Sequence, residues 1–447
     1  MLAHGAPLTA GDSTILGRLY VTASTSYDPS PSALVTFDLP VIGSPVQRET
    51  VETGGIGRGG SSKQSVAFDA TGRLLFACNN ISGDVSVWSL AGDGTLEPVA
   101  GSPFPVGAGP AFIALHPDLR VLYVVTWLDS SLRVFSIEAD GSLTQTQSVS
   151  IPEPRDFEID PSGRFLYLAD MTTGVRGYAI SPAGGLTELA GSPFVYASGR
   201  TFEIEIAPGG RRVFVLDLDN GIAAFDVAPD GGLALIEGSP FAVGDFSAAM
   251  ELSPDGSFLY LGSSYYTGIN GFVVGPDGAP SPIGDGIPSE IPVELIAPPG
   301  AHELVSVRSS PGDIVAYAIA GDGALTQLSD PTAVVDEAHR VPDGAVFVAS
   351  NCLTSAIDAA VLCDDGHACT ADLCDLARGC VNGDANLDAS GFSADRVDGR
   401  DLVVLADAWN SCPGDLSYAA AANLDQTGCV DVTDFHLFMM AFGRTCP

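Results

Sequence analysis

The chain has 447 residues, 46% of them hydrophobic, and a formal net charge of −36, with Lys63 as its only lysine. That length favours more than one domain, the apolar content excludes a disordered chain, and no apolar run approaches the roughly 18 residues that a membrane helix needs. A chain this acidic is repelled by phosphate backbones and anionic lipids, so nucleic acid and membrane surfaces are poor partners, and cations are better ones. The same acidity also reads as solubility outside the cell.

Residues 1–14 read as an N-terminal extension. The stretch MLAHGAPLTAGDST has neither a basic n-region nor an apolar h-region, while strand-like sequence begins by Ile15. The expectation is therefore a trimmed or mis-started N-terminus on an extracellular or cell-surface protein, with no signal peptide visible.

Residues 15–350 repeat. The segment PSGRFLYLAD at Pro161 returns as ATGRLLFACN at Ala70, PDLRVLYVVT at Pro117, PGGRRVFVLD at Pro208 and PDGSFLYLGS at Pro254. Markers at Phe76, Tyr123, Tyr167, Phe214, Tyr260, Val305 and Phe347 are spaced by 42 to 47 residues. A period in the forties with no helix inside it predicts an array of four-stranded units. Each unit has a first strand, a Pro/Gly turn, the marker strand, and a third strand with one aromatic (Phe37, Trp88, Phe135, Tyr178, Phe225, Phe272, Tyr317). Asp-Gly turns at Asp93, Asp140, Asp230 and Asp322 supply the positive φ of a short hairpin before the fourth strand. The connector GSPF follows at Gly101, Gly191 and Gly238. Alternation within strands such as LYVVTW predicts one face of each sheet packed on its neighbour. Seven such units close into a ring. The first lacks an inner strand of its own, and residues 335–350 are expected to supply it, which removes the exposed edges.

The pattern of residues 101–144, from GSPF to DGSLT, resembles the lactonase-family seven-bladed β-propeller, which includes bacterial 6-phosphogluconolactonase and carboxymuconate-lactonizing enzymes. The resemblance implies an all-β fold and a site at the mouth of the central channel built from histidine, glutamate and arginine. Where histidines are expected before inner strands, this chain carries Pro110, Arg155 and Arg200. His116 follows its inner strand and reads as a partly exposed turn residue. Channel candidates for catalysis are Arg155, Arg200, Glu203 and His339. Asp156 with Glu158, and Glu203 with Glu205, alternate onto one strand face and so could bind a cation or do acid–base work; alternatively they pair with nearby arginines and water. A phosphorylated lactone would need basic groups that the chain hardly offers.

The last hundred residues change character and hold eight of the nine cysteines. Residues 351–382, with CDDGHACTADLCDLARGC from Cys363, resemble short CTxDxC cysteine-rich repeats, and two disulfides of undetermined pairing are expected, in an oxidising compartment. Residues 383–447 contain a duplicated unit. In the second copy Asn423, Asp425, Thr427, Cys429 (through its carbonyl), Asp431 and Asp434 stand at positions 1, 3, 5, 7, 9 and 12 of a calcium loop, with Gly428 at the sharp turn and a helix after it. In the first copy Asn386, Asp388, Ser390, Asp398 and Asp401 fill comparable places around four extra residues. The pair resembles dockerin repeats and implies an α-helical, EF-hand-like module with calcium as its cofactor.

Two functions are expected from this sequence, beside a purely structural reading as a cell-envelope component. One is a secreted or surface-associated binding module, tethered to a protein partner through the calcium-dependent tail and holding a carbohydrate or lactone ligand on the propeller. The alternative is a lactone hydrolase acting at the propeller channel.

Overall fold

The computed structural model describes residues 15–25, 31–40, 44–57, 65–69, 73–91, 95–196, 200–243, 247–263, 268–298, 302–309, 311–328, 330–334, 340–349, 370–375 and 379–384. The chain divides into two compact units, residues 1–348 and 349–447.

The first unit is all-β. Seven antiparallel sheets, each with a path of four strands, follow one another along the chain and form a seven-bladed propeller. Among the described residues the only helical element is one 3-10 turn, Trp127–Asp129. Blade 3 shows the plan: strands Pro110–Leu115, Val121–Thr126, Ser131–Ile137 and Leu143–Ser150, in that order across the sheet. Blade 4 repeats it with Pro154–Ile159, Phe165–Asp170, Gly174–Ile180 and Leu186–Glu188. First strands touch first strands from blade 2 to blade 7, which places them around the central axis.

The marker strands are buried along their whole length in blades 2, 3 and 4. Alternation predicts one packed face, whereas the structure seals both, because every blade is sandwiched between two neighbours. This is why these strands read as continuous apolar runs. The outermost strand Leu143–Ser150 is largely exposed and correspondingly polar. Burying a tyrosine hydroxyl without a partner is costly. Tyr123, Tyr167 and Tyr260 donate to the carbonyls of Gly184, Gly231 and Gly323, at 2.8, 2.8 and 3.0 Å, in the hairpin turn of the following blade. The marker tyrosine and the glycine of the next blade's hairpin turn are thus two halves of one inter-blade contact.

In blades 2 and 4 the turn after the inner strand is held by an aspartate that accepts the amides at the opening of the marker strand. Asp69 Oδ1 accepts from Arg73 and Leu74 at 2.7 Å each, and Asp160 Oδ1 accepts from Arg164 at 2.7 Å and Phe165 at 2.6 Å. Blade 3 has His116 at this place, where it binds amides of the turn itself rather than those that open the marker strand. Its Nδ1 accepts from Asp118 and Leu119 at 3.0 and 3.1 Å, so the hydrogen sits on Nε2, which donates to Gly163 O at 2.8 Å. His116 is a turn residue as expected, but a buried one.

The ring closes with the strand from the far end of the unit. Arg340–Ala349 pairs with Ile15–Thr25 as the innermost strand of blade 1. Gly17 permits the approach, since a Cβ there would meet Val348 O at 2.2 Å. Thr22 Oγ1 donates to Gly344 O at 3.2 Å and lies 2.6 Å from Ser65 Oγ of blade 2. Leu19, Val21 and Phe37 share a core with Val305, Val307 and Ile314 of blade 7.

In the second unit the described residues form a hairpin, Thr370–Asp375 with Gly379–Asp384, whose register sets Cys374 opposite Cys380. This hairpin runs across residue 382, where the cysteine-rich segment was expected to end. The calcium-loop residues Asn386, Asp388, Ser390, Asp398, Asp401, Asn423, Asp425, Thr427, Cys429, Asp431 and Asp434, and the helices expected to follow them, lie outside the described residues.

Candidate functional site: the channel and its mouth

The inner strands of blades 4 and 5 share a frame. Pro154 and Thr201 face the ends of their marker strands, Asp170 and Asp217, and after a bulge Glu158 faces Tyr167 as Glu205 faces Phe214. Blade 6 continues this with Glu251 facing Tyr260, and in blade 7 Glu294, facing Val307, stands at the level of Glu203. Six carboxylates therefore lie on the inner strands of blades 4 to 7, at two levels: Asp156, Glu203 and Glu294 above, Glu158, Glu205 and Glu251 below. The corresponding places in blade 3 hold Phe112 and Ala114.

Asp156 and Glu158 do lie on one strand face, and that face is turned to the next blade. Asp156 Oδ2 accepts from Ile204 N at 3.1 Å, and Glu158 Oε2 from Ile206 N at 2.8 Å. Glu251 Oε1 repeats the lower contact with Ala297 N at 2.9 Å. An innermost strand has no partner strand on its channel side, so alternate amides lack a ladder acceptor. The preceding blade's carboxylate supplies it. These residues are stitches between blades, and Asp156 is fully buried.

Of the residues expected to carry catalysis, Glu203 is 2% exposed and is sealed between blades rather than presented at the mouth. His339 lies outside the described residues. Arg155 and Arg200 look equivalent in the sequence but are not. In blades 3, 4, 5 and 7 the amide after the marker strand donates to the connector that leads into the inner strand: Trp127 to Gly109 O, Met171 to Glu153 O, Leu218 to Arg200 O and Ser309 to Ile291 O, each at 3.0 Å. Arg200 therefore corresponds to Glu153 and sits on the rim, whereas Arg155 is one residue inside the strand. The two strands carry the same bulge and repeat after 47 residues, from Pro154 to Thr201, while the two arginines are 45 apart; the alternating acids that follow each arginine mask this offset. Arg200 grips Asp219 with a fork, Nε to Oδ2 at 3.1 Å and Nη2 to Oδ1 at 2.9 Å, and this hydrogen bonding holds the Asp219 carboxyl below its ordinary pKa. Arg155 is half-buried, with Nη2 3.2 Å from Met171 Sδ and a buried Nε that no acceptor meets.

The mouth also holds residues that the sequence reading passed over. Trp127, Met171 and Leu218 follow the marker strands of blades 3, 4 and 5 and share one level. Trp127 is 37% exposed and its neighbour Leu128 59%. The strand pattern LYVVTW absorbs Trp127; the signal is a bulky apolar residue directly after the marker strand's last buried position. Among the described residues no group of three or more His, Cys, Asp or Glu is arranged to hold a metal.

Residues 30–153 and 66–195 match the family model described as lactonase, 7-bladed β-propeller. The 6-phosphogluconolactonases of Yersinia pestis and Yersinia enterocolitica are 31% and 32% identical over 152 residues, which is 31% of this chain and 46% of theirs. The match thus spans less than half the length of these curated relatives. In fold, 76% of the chain superposes on 99% of a 6-phosphogluconolactonase-like protein from Bacteroides fragilis, with a TM-score of 0.64 and 21% identity. The periplasmic gluconolactonase of Pseudomonas aeruginosa gives 0.58 at 18% identity, with 74% and 99% of the two chains covered. The molecule is a seven-bladed propeller whose residues 30–195 carry a lactonase-family match.

Proposed function

We propose that the propeller hydrolyses lactones of sugar acids at the channel mouth. The observation that supports this reading best is the 31% identity with 6-phosphogluconolactonases over 152 residues, which favours the hydrolase over the tethered binding module. In the reaction, water oxygen bonds to the lactone carbonyl carbon, the bond from that carbon to the ring oxygen breaks, and the ring oxygen leaves as a hydroxyl. The product is the open hydroxy acid, which releases one proton at neutral pH. Negative charge develops on the carbonyl oxygen in the transition state, and a fixed donor aimed at it lowers the barrier. Arg155 is the donor we assign, since its guanidinium is partly exposed beside the connectors and its buried Nε leaves one N–H without an acceptor.

Proton release in a pH-stat, corrected for spontaneous opening, tests the assignment. Arg155→Gln is expected to lower kcat/KM by about a hundredfold, in the range seen for loss of one oxyanion donor. Absence of turnover above the uncatalysed rate with glucono-δ-lactone and with 6-phosphoglucono-δ-lactone would sink the reading. For the tail we propose calcium at Asn423, Asp425, Thr427, Cys429, Asp431 and Asp434; titration calorimetry on the full chain should show binding that Asp425→Ala abolishes.

A further inference from the structure

We infer that the blade 3–4 side of the mouth binds an unphosphorylated sugar ring, with Trp127 as the stacking surface and Arg155 beside it. The inference rests on the lactonase reading and specifies its substrate.

The turn carrying Trp127 is fixed from both sides. Its backbone amide donates to Gly109 O in the connector of its own blade. Its last residue, Ser130, donates from Oγ to Pro152 O at 3.1 Å and accepts from Ile151 N at 2.8 Å, both in the connector that leads to Arg155. Asp129 Oδ2 accepts from Ala108 N and from Arg133 Nη2, each at 2.7 Å. Gly109 lets the indole lie down against the connector; a Cβ there would stand 2.8 Å from Trp127 Nε1. The result is an indole held in place yet 37% exposed, next to the blade that bears a half-buried arginine with an unmatched Nε. A rigid aromatic face with a polar edge, adjoining a donor, suits a flat ring that has C–H groups on one face and hydroxyls at its rim. Ordering is already complete before binding, so little conformational entropy is lost.

Charge decides between the plain and the phosphorylated sugar. Besides Arg155, the described arginines at this end of blades 3 to 5 are Arg133, Arg176 and Arg200, and they are occupied by Asp129, Asp170 and Asp219. Below lie the six carboxylates of the inner strands, and the whole chain carries −36. A phosphate monoester brings about two negative charges into that field, with no cluster of uncommitted arginines among the described residues to receive it, whereas a neutral lactone meets no such penalty.

The test uses the full chain, with glucono-δ-lactone and 6-phosphoglucono-δ-lactone as substrates and gluconate as a product probe. The inference expects kcat/KM at least about tenfold higher for the unphosphorylated lactone. It also expects Trp127→Ala to raise KM about tenfold with kcat little changed, and Trp127→Phe to retain most of the affinity. Preference for the phosphorylated lactone, or an unchanged KM in Trp127→Ala, overturns the inference and leaves the lactonase reading standing. If neither lactone is turned over but gluconate still quenches indole emission in the parent and not in Trp127→Phe, the sugar site stands and the hydrolase falls. Absence of both turnover and quenching removes both.

Discussion

Blades 3 and 4 have the same frame and different chemistry at corresponding positions. Where blade 3 has Phe112 and Ala114 on its inner strand, blade 4 has Asp156 and Glu158. Thr126 ends one marker strand and Asp170 the other. His116 caps one turn, Asp160 the other. Phe112 is part of the core between the two blades, while Asp156 reaches the next blade's Ile204 amide. The frame fixes where a side chain sits and which neighbour it faces. It leaves open whether apolar burial or a hydrogen-bonded carboxylate fills the place, and the mouth acquires its chemistry from that freedom.

Four measurements would break or sharpen this comparison. Phe112→Ala should cost most, about 3–5 kcal/mol in thermal or denaturant unfolding, as expected for emptying a buried aromatic site. Asp156→Ala should cost less, about 1–3 kcal/mol, because it orphans one buried amide and opens only a small space; a loss equal to that of Phe112→Ala would mean that the carboxylate is more than a stitch. The third is pH. Burial opposes ionisation of Asp170, but hydrogen bonds from Thr173, Arg176 and Thr172 outweigh it and hold its pKa below the ordinary value. A lowered folded-state pKa stabilises the protein above the unfolded value of about 3.9 and is lost as pH falls through the folded one. The stability of Asp170→Asn should therefore decline less steeply than that of the parent below about pH 4. The smallest effect is expected for Ala114→Glu, within about 1 kcal/mol, since the new carboxylate stands where Glu158 finds an amide in the next blade.

The blades were legible in the sequence because each is specified several times over. The marker strand, the glycine of the hairpin turn and the third-strand aromatic recur together, and Tyr123, Tyr167 and Tyr260 tie the first two across blades. Ring closure was legible from arithmetic alone, as one unit lacked an inner strand and the end of the repeat array offered one. The mouth was not. Arg155 and Arg200 seem to match because both precede a run of alternating acids, yet they stand 45 residues apart in blades whose inner strands repeat after 47, from Pro154 to Thr201, so one lies inside its strand and the other on the rim. Trp127 was missed for a related reason: strand periodicity has no vocabulary for the residue just beyond a strand, which is where the mouth is built. The stitching carboxylates were seen as a group, but spacing could not tell that their face is turned to the next blade's amides.

Closure by Arg340–Ala349 also sets an order of events in time. Thr22 meets Gly344 across 322 residues of chain, and contacts of such long range are reached late, since the loop entropy must be met before they form. On a chain emerging from its N-terminus, the sheet edge at Ile15–Thr25 stays open until almost the whole propeller has been made. Until then it is an unpaired strand of the kind that other chains can join. The fold removes this hazard in its last step, so the yield of native rings is set by how long one edge goes uncovered.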